Sequence, residues 1–265
     1  MKKNLLNQVI LITGASTGLG EQLVYCAAQR GATIVACARN QARLSQVIKR
    51  AHQLSGRPAF SYAVDLSDPE QIEQLVATVT KKVGPITVLI NNAGIGQFEN
   101  ALDIKLSIME KMFRVNTLGA IYLTQLVALQ MVAYHQGTII NVASQAGKIA
   151  TPKASVYAAS KAALIAYSNS LRLELRPRNI WVTTVNPGPM ATDFIKKADR
   201  SGKYAQSVAK IMLDPERFAR RIIASIGRGT REINAPAPME VAARLYPLFP
   251  ELGDWLVSRP VFNRK

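Results

Sequence analysis

The strongest candidate chemistry in this chain of 265 residues lies one helical turn apart, in Tyr157-Ala158-Ala159-Ser160-Lys161. A spacing of four puts the phenol and the ammonium on one helix face. A free phenol titrates near ~10, too high for easy proton exchange at neutral pH, and an adjacent ammonium favours its ionised form, so Tyr157 can serve as acid or base. Of the eight tyrosines, only Tyr157 has a lysine four residues on. The same spacing also suits an amphipathic helix with a core tyrosine and a solvated lysine, and Ser144 weighs against that reading. It follows the strand-like run Thr138 to Ala143, from whose end its hydroxyl can hydrogen-bond a substrate oxygen beside Tyr157. Asn116 interrupts the helical pattern Met112-Phe113-Arg114-Val115-Asn116-Thr117. An asparagine there is unfavourable unless its side chain bonds backbone or water, and a departure from local preference points to function.

A second group of residues could hold a dinucleotide. Thr13-Gly14-Ala15-Ser16-Thr17-Gly18-Leu19-Gly20 leads from a strand pattern into a helical one. It places glycine-permitted backbone and a helix N-terminus at one point, where a pyrophosphate can sit, although tight strand-to-helix turns also use glycine for steric reasons alone. The second strand ends in Cys37-Ala38-Arg39-Asn40. An acid at that position would favour the free ribose hydroxyl of NAD, whereas the guanidinium of Arg39 can grip the 2′-phosphate of NADP, the alternative being a solvated surface arginine. Asp65-Leu66 after the third strand could meet adenine, and Asn91-Asn92-Ala93-Gly94 after the fourth offers side-chain amides; ordinary turn chemistry would use the same residues.

Such residues need elements that bring strand ends to one edge. Apolar, β-branched runs recur at Val9 to Thr13, Thr33 to Ala38, Ala59 to Val64, Thr87 to Asn91, Thr138 to Val142 and Ile180 to Asn186, with a final one at Glu232 to Pro236. Their near-continuous apolarity predicts burial on both faces. Helical segments lie between them, among them Glu21 to Arg30 and a stretch with Gln71, Ile72, Leu75, Val76 and Val79 on one face, opened by Ser67/Asp68 cap signals and Pro69 in the first turn. The alternation predicts an α/β fold, a doubly wound parallel sheet of about seven strands with helices on both faces, as a single domain, with its ligand crevice at the carboxyl ends of the strands. Residues 1–236 form the catalytic domain on this reading, with a less periodic lid at about 189–214 before a helix at Pro215. Residues 237–265 form an amphipathic tail, its apolar face (Val241, Leu245, Leu248, Leu252, Trp255, Leu256) broken at Pro247 and Pro250. That tail is expected to pack on the domain, a neighbouring subunit or a membrane surface.

Composition narrows the classes. Apolar residues make up 48% of the chain, ample for a core, and no apolar run in the sequence approaches the ~18–20 residues that cross a bilayer. The opening Met1-Lys2-Lys3 with Leu5 to Thr13 only faintly imitates a signal peptide. Two cysteines, Cys26 and Cys37, cannot make a disulfide framework and read as buried thiols of a reducing, cytoplasmic compartment. His52 and His135 lack metal-ligand spacing and read as surface residues, so no metal is expected. The net charge of +16 is spread broadly, with no acid from Gln22 to Val64 or from Lys111 to Leu173. Recognition helices, zinc fingers and interleaved aromatics are absent from the pattern, which argues against nucleic acid.

Taken together, Thr13-Gly14-x-x-x-Gly18-x-Gly20, Asn91-Asn92-Ala93-Gly94, Asn116, Ser144, Tyr157-x-x-x-Lys161 and Pro187-Gly188 resemble the short-chain dehydrogenase/reductase family, from Val9 to about Pro236. The resemblance implies a Rossmann-like fold and hydride transfer between NADP(H) and a carbonyl or secondary alcohol. Tyr157 would donate the proton, Ser144 would orient and polarise the carbonyl oxygen, and Lys161 would also bind the nicotinamide ribose. Asn116 would hold a water in a proton relay with Lys161. Pro187, Gly188, Met190 and Thr192 would border the nicotinamide carboxamide. The family further implies a homodimer or homotetramer through the helices around Asn116 and Tyr157. Leu19 replaces a commoner isoleucine, and the proline-rich tail departs from the glycine-rich ending of fatty-acid and sugar-processing members, looking more like members that act on hydrophobic ketones or steroids. Ala146, Ile149, Pro152, Met190 and Phe194 are expected to flank a pocket for an apolar ketone or aldehyde, while Lys196, Lys197, Arg200 and Lys203 in the lid would admit an anion. Two rival readings remain: a protein that senses NADP and regulates a partner, and a reductase of steroid or lipid ketones resting on a membrane surface through its tail.

Overall fold

A computed structural model describes residues 4–199 and 202–258. Along the chain run β1 (Val9–Thr13), α1 (Gly18–Ala28), β2 (Thr33–Ala38), α2 (Gln41–Ser55), β3 (Ala59–Ala63), α3 (Pro69–Lys82), β4 (Val88–Asn91) and α4 (Leu106–Phe113). A π-helical turn, Arg114–Leu118, joins α4 to α5 (Gly119–Ala133), and β5 (Gly137–Val142) and a 3-10 turn, Gln145–Gly147, precede α6 (Ser155–Leu175). Then follow β6 (Ile180–Pro187), α7 (Asp193–Ala198), α8 (Lys203–Ser207), α9 (Pro215–Ser225), β7 (Glu232–Ala235), α10 (Ala237–Leu245) and α11 (Pro250–Val257).

The seven strands form one parallel sheet in the order β3-β2-β1-β4-β5-β6-β7. Strand order reverses between β1 and β4, which places the crevice at their carboxyl ends. Alternating residues face opposite layers. Ile10 and Ile12 of β1 pack with Leu23 of α1 and Ile222 of α9, while Leu11 packs with Ile72 of α3 and Leu123 of α5. Asp68 caps α3 by accepting from the amides of Glu70 and Gln71, and Pro69 takes the first turn, where a missing N–H costs nothing.

Several expectations need correction. β3 is only half-buried because it is the outermost strand of its edge, with a neighbour on one side alone. The stretch at about 189–214 contains α7, α8 and a 3-10 turn at Ala209–Ile211, so it is helical in short pieces. Arg200 lies outside the described residues. In the tail the helical face is interrupted between α10 and α11, as its prolines suggest, and Pro250 takes the first turn of α11, where its missing donor is one of the unpaired groups. Finally, Leu106–Ala133 runs as one helical stretch of 28 residues, long and apolar enough to cross a bilayer by length and composition, yet 56% of its most apolar window is buried inside this protein. The linear sequence hides it because polar residues such as Asn116 and Thr117 divide the run, and the structure buries both.

Candidate active site

One cleft of about 1560 Å³ opens at the carboxyl edge of the sheet, and residues from the ends of β1, β2, β4, β5 and β6 line it. At its base the turn after β1 is fixed by close approach. Gly14 has φ +63°, and a Cβ there would stand 2.7 Å from Cα of Ala93. A Cβ on Gly20 would stand 2.2 Å from the carbonyl oxygen of Gly14, so only a bare backbone lets α1 start this near the sheet. Thr17 precedes α1 in extended geometry and its side chain makes no capping bond, leaving first-turn amides for another acceptor. Ser16, Thr17, Gly18, Leu19 and Gly20 all line the cleft.

Thr13 ties this turn to the one after β4. Its Oγ1 accepts from the amides of Asn92 (3.0 Å) and Ala93 (2.9 Å), and Nδ2 of Asn92 donates to the carbonyl oxygens of Thr13 (2.9 Å) and Gly14 (3.3 Å). Asn91 points the other way, donating to Thr124 and Asn141 in the buried layer, and does not line the cleft.

At one end of the cleft stands exposed Arg39, just after β2. Asn40 reaches the cleft too, while its side chain caps α2 by accepting from the amide of Arg43 at 3.0 Å. Arg43 lines the cleft as well, and its guanidinium lies 4.0 Å from Asp193. Burial would raise Asp65, but the bonds from the amide and hydroxyl of Ser67, with the positive field of Arg39 and Lys111, hold its carboxyl below the ordinary range. Leu66 lines the cleft beside it.

At the other end α6 presents Tyr157 and Lys161, both buried, with Ser144 on the turn after β5. The Tyr157 ring stacks edge-on to Phe98 (5.9 Å between centroids) and tilted against Phe194 (5.7 Å). Ser144 Oγ accepts from the Ala146 amide at 3.1 Å and lies 3.5 Å from the Pro187 carbonyl oxygen, to which it donates. Lys161 Nζ donates to the Val142 carbonyl at 2.9 Å, and complete burial pushes the ammonium down to about 8. A Cβ on Gly94 would stand 3.3 Å from this Nζ and 3.4 Å from Oδ1 of Asn116. Asn116 itself does not line the cleft. Its Oδ1 accepts from the Ile95 amide (2.8 Å), and its Nδ2 donates to the Ile95 carbonyl (2.9 Å) and to Ser160 Oγ (3.0 Å). It sits in the π-helical turn Arg114–Leu118, a widened turn of the kind often found at functional sites.

Pro187, which ends β6, and Gly188, Met190 and Thr192 beyond it border the cleft. Of the expected substrate flank, Ala146, Ile149, Met190 and Phe194 line it; Pro152 is exposed and does not, because the turn after Thr151 carries it outward. Lys197 reaches the cleft and Lys196 does not. Sequence reasoning missed Arg43, Ile95, Gly96 and Phe98, and also missed that the tail forms a wall: Val241, Leu245, Phe249, Leu252 and Leu256 all face the cleft. Arg43 alone had a local cue, being one turn from Arg39 behind a capping asparagine. No group of three or more His, Cys, Asp or Glu residues fit to hold a metal occurs among the described residues.

The family model described as short chain dehydrogenase matches residues 8–202. The chain is 33% identical to an 11-beta-hydroxysteroid dehydrogenase-like protein of Arabidopsis thaliana over 99% of its own length and 86% of the relative's. Among solved structures it resembles L-sorbose reductase from Gluconobacter frateurii complexed with NADPH and L-sorbose, with a TM-score of 0.81, 28% identity and coverage of 88% and 96% of the two chains. It also resembles a short-chain dehydrogenase from Sphingobium yanoikuyae in complex with NADPH, with a TM-score of 0.81, 26% identity and coverage of 95% and 96%.

Proposed function

This chain belongs to the short-chain dehydrogenase/reductase family, and on that premise we propose that it is an NADP(H)-dependent reductase of apolar ketones or aldehydes. The observation that carries the reading is the meeting of Tyr157, buried Lys161 and Ser144 at the aromatic end of a cleft whose far end is basic. The residues present fit a dinucleotide: bare backbone at Gly14 and Gly20, uncapped amides opening α1, and Arg39 with Arg43 where an adenosine 2′-phosphate would lie. When bound, the cofactor supplies the hydride that reduces the carbonyl carbon.

The chain's own residues do the rest. Tyr157 gives its phenolic proton to the carbonyl oxygen as the carbon is reduced, and Ser144 donates a hydrogen bond to the same oxygen, stabilising the charge that develops there. Lys161, with its proton affinity brought near neutrality by burial, holds a charge beside the phenol and can exchange a proton. Asn116 is a positioning residue, fixing the Gly94–Ile95 backbone against which Lys161 lies. The aromatic flank of Phe98 and Phe194 favours an apolar carbonyl compound, in keeping with the steroid dehydrogenase name of one relative. Oxidation of NADPH and NADH by the purified protein against a diverse panel of ketones and aldehydes tests the proposal. Turnover with NADPH on apolar members is expected, and no turnover on any carbonyl would overturn it.

A further inference from the structure

Four residues beyond Ser144, Lys148 extends between two carboxylates from distant parts of the chain. Its Nζ donates to Oε2 of Glu232 on β7 at 2.7 Å, to Oδ1 of Asn234 at 3.3 Å and to Oε2 of Glu240 on α10 at 3.3 Å. The side chains of Lys148, Glu232 and Glu240 are only 17%, 21% and 13% exposed, so solvent screens this cluster little. Glu240 also accepts from Nε2 of Gln145 (3.4 Å) and from Nε of the exposed Arg244 (2.8 Å). Burial alone would raise both carboxyls. For Glu232 the bonds from Lys148 and Asn234, and for Glu240 those from Arg244, Gln145 and Lys148, hold them below the ordinary range, so both stay ionised at neutral pH.

A second contact fixes the same helix. A Cβ on Gly188 would stand 2.8 Å from Sδ of Met239, so α10 lies directly on the loop after β6. Tyr246, just past α10, passes the constraint on: its hydroxyl donates to Asp254 at 2.5 Å, and its ring occupies the space a Cβ on Gly253 would need. α11 is therefore carried by α10. Together they present Leu245, Phe249, Leu252 and Leu256 to the cleft, each about half exposed. A cleft of about 1560 Å³ also exceeds the ~300–1,000 Å³ usual for one small ligand, leaving room beyond a dinucleotide.

We infer that Lys148 is a positioning residue that seats α10 across the substrate end of the cleft, so that the tail's half-exposed apolar side chains bind an extended apolar chain attached to the reacting carbonyl. This rests on the reading of the cleft as a carbonyl site. Without the ammonium, Glu232 and Glu240 would face each other as two partly buried like charges, which drives α10 away from β7. The turn after β5 touches α10 through Gln145, but Ser144 is also bonded to the Ala146 amide and the Pro187 carbonyl, and Lys161 to the Val142 carbonyl, so the catalytic groups would stay in place.

The test uses the full chain with methyl ketones from butanone to 2-decanone and NADPH. In the unaltered protein KM should fall by about fourfold for each added methylene that reaches the tail. In Lys148→Met, kcat on butanone should stay within about twofold while KM for 2-decanone rises about tenfold or more and the dependence on chain length flattens. Lys148→Arg should restore that dependence. Hydrogen exchange over residues 237–245 of the NADP-loaded protein gives a readout free of turnover: 2-decanone should protect this segment in the unaltered protein and in Lys148→Arg, but not in Lys148→Met. Equal loss of kcat on short and long ketones in Lys148→Met, or no protection in the unaltered protein, would overturn the inference. Protection without reduction of any ketone would instead sink the carbonyl-reductase reading and leave the seating role of Lys148 standing.

Discussion

The two walls of the cleft are built in opposite ways. The sheet wall consists of strand ends and α6, with Tyr157, Lys161 and Ser144 buried, and with Asn116 behind it bonded to Ile95 and Ser160. The tail wall consists of α10 and α11, with half-exposed leucines and Phe249, attached through an ion-pair cluster and a methionine contact. Proton transfer needs placement to within fractions of an ångström, which buried, mutually bonded groups provide. Recognition of an apolar chain needs area and fit, which an appended helix pair can supply without disturbing the chemistry. The division predicts that changes in the sheet wall act on turnover and changes in the tail act on selectivity.

The sharpest way to break this contrast is Tyr157→Phe. The phenylalanine ring keeps the contacts with Phe98 and Phe194, so the fold should be unaffected, yet turnover on every accepted carbonyl should drop by about 10³ or more. Ser144→Ala should cost about 10²–10³ in kcat, measured on the same substrates; a loss below about tenfold would make Ser144 a bystander.

Lys161 probes the cost of burying a charge in the sheet wall. Its folded-state value of about 8 lies below the ordinary 10.5, so between those values the unfolded chain binds a proton that the folded one does not. Stability should therefore rise with pH across that window, the charging penalty being largest below about 8. Lys161→Met, free of the penalty, should melt higher than the unaltered protein at pH 7, and the gap should narrow toward pH 10.5. Thermal melts of both proteins across that range check the sign.

Smaller effects belong to the exposed parts. Arg39→Ala should reduce the preference for NADPH over NADH by about tenfold in binding titrations, the modest size following from its exposure to solvent. Phe249→Ser, on the tail wall, should shift stability by no more than about 0.5 kcal/mol and leave kcat on the smallest carbonyl unchanged. A large loss on that substrate would mean the walls are not separable.

Most of the sheet wall was legible in the sequence, because strand runs, cap residues and the Tyr157/Lys161 spacing are local patterns. β1 and β2 fall at the expected residues, and β3, β4, β5, β6 and β7 within one residue at either end. The edge position of β3 was not legible, since burial depends on which strands lie beside it. The tail wall escaped for the same reason. Lys148 and Glu240 are 92 residues apart, and no periodicity announces that they meet. Phe98 sits in an irregular segment, where a single aromatic carries no pattern at all.

The hydroxyl of Thr13 has a consequence of its own. It receives the amides of Asn92 and Ala93, while Nδ2 of Asn92 reaches back to the carbonyls of Thr13 and Gly14. The rim segments on the two sides of the strand-order reversal are in effect riveted, so neither can be reshaped for a different dinucleotide without the other being refitted.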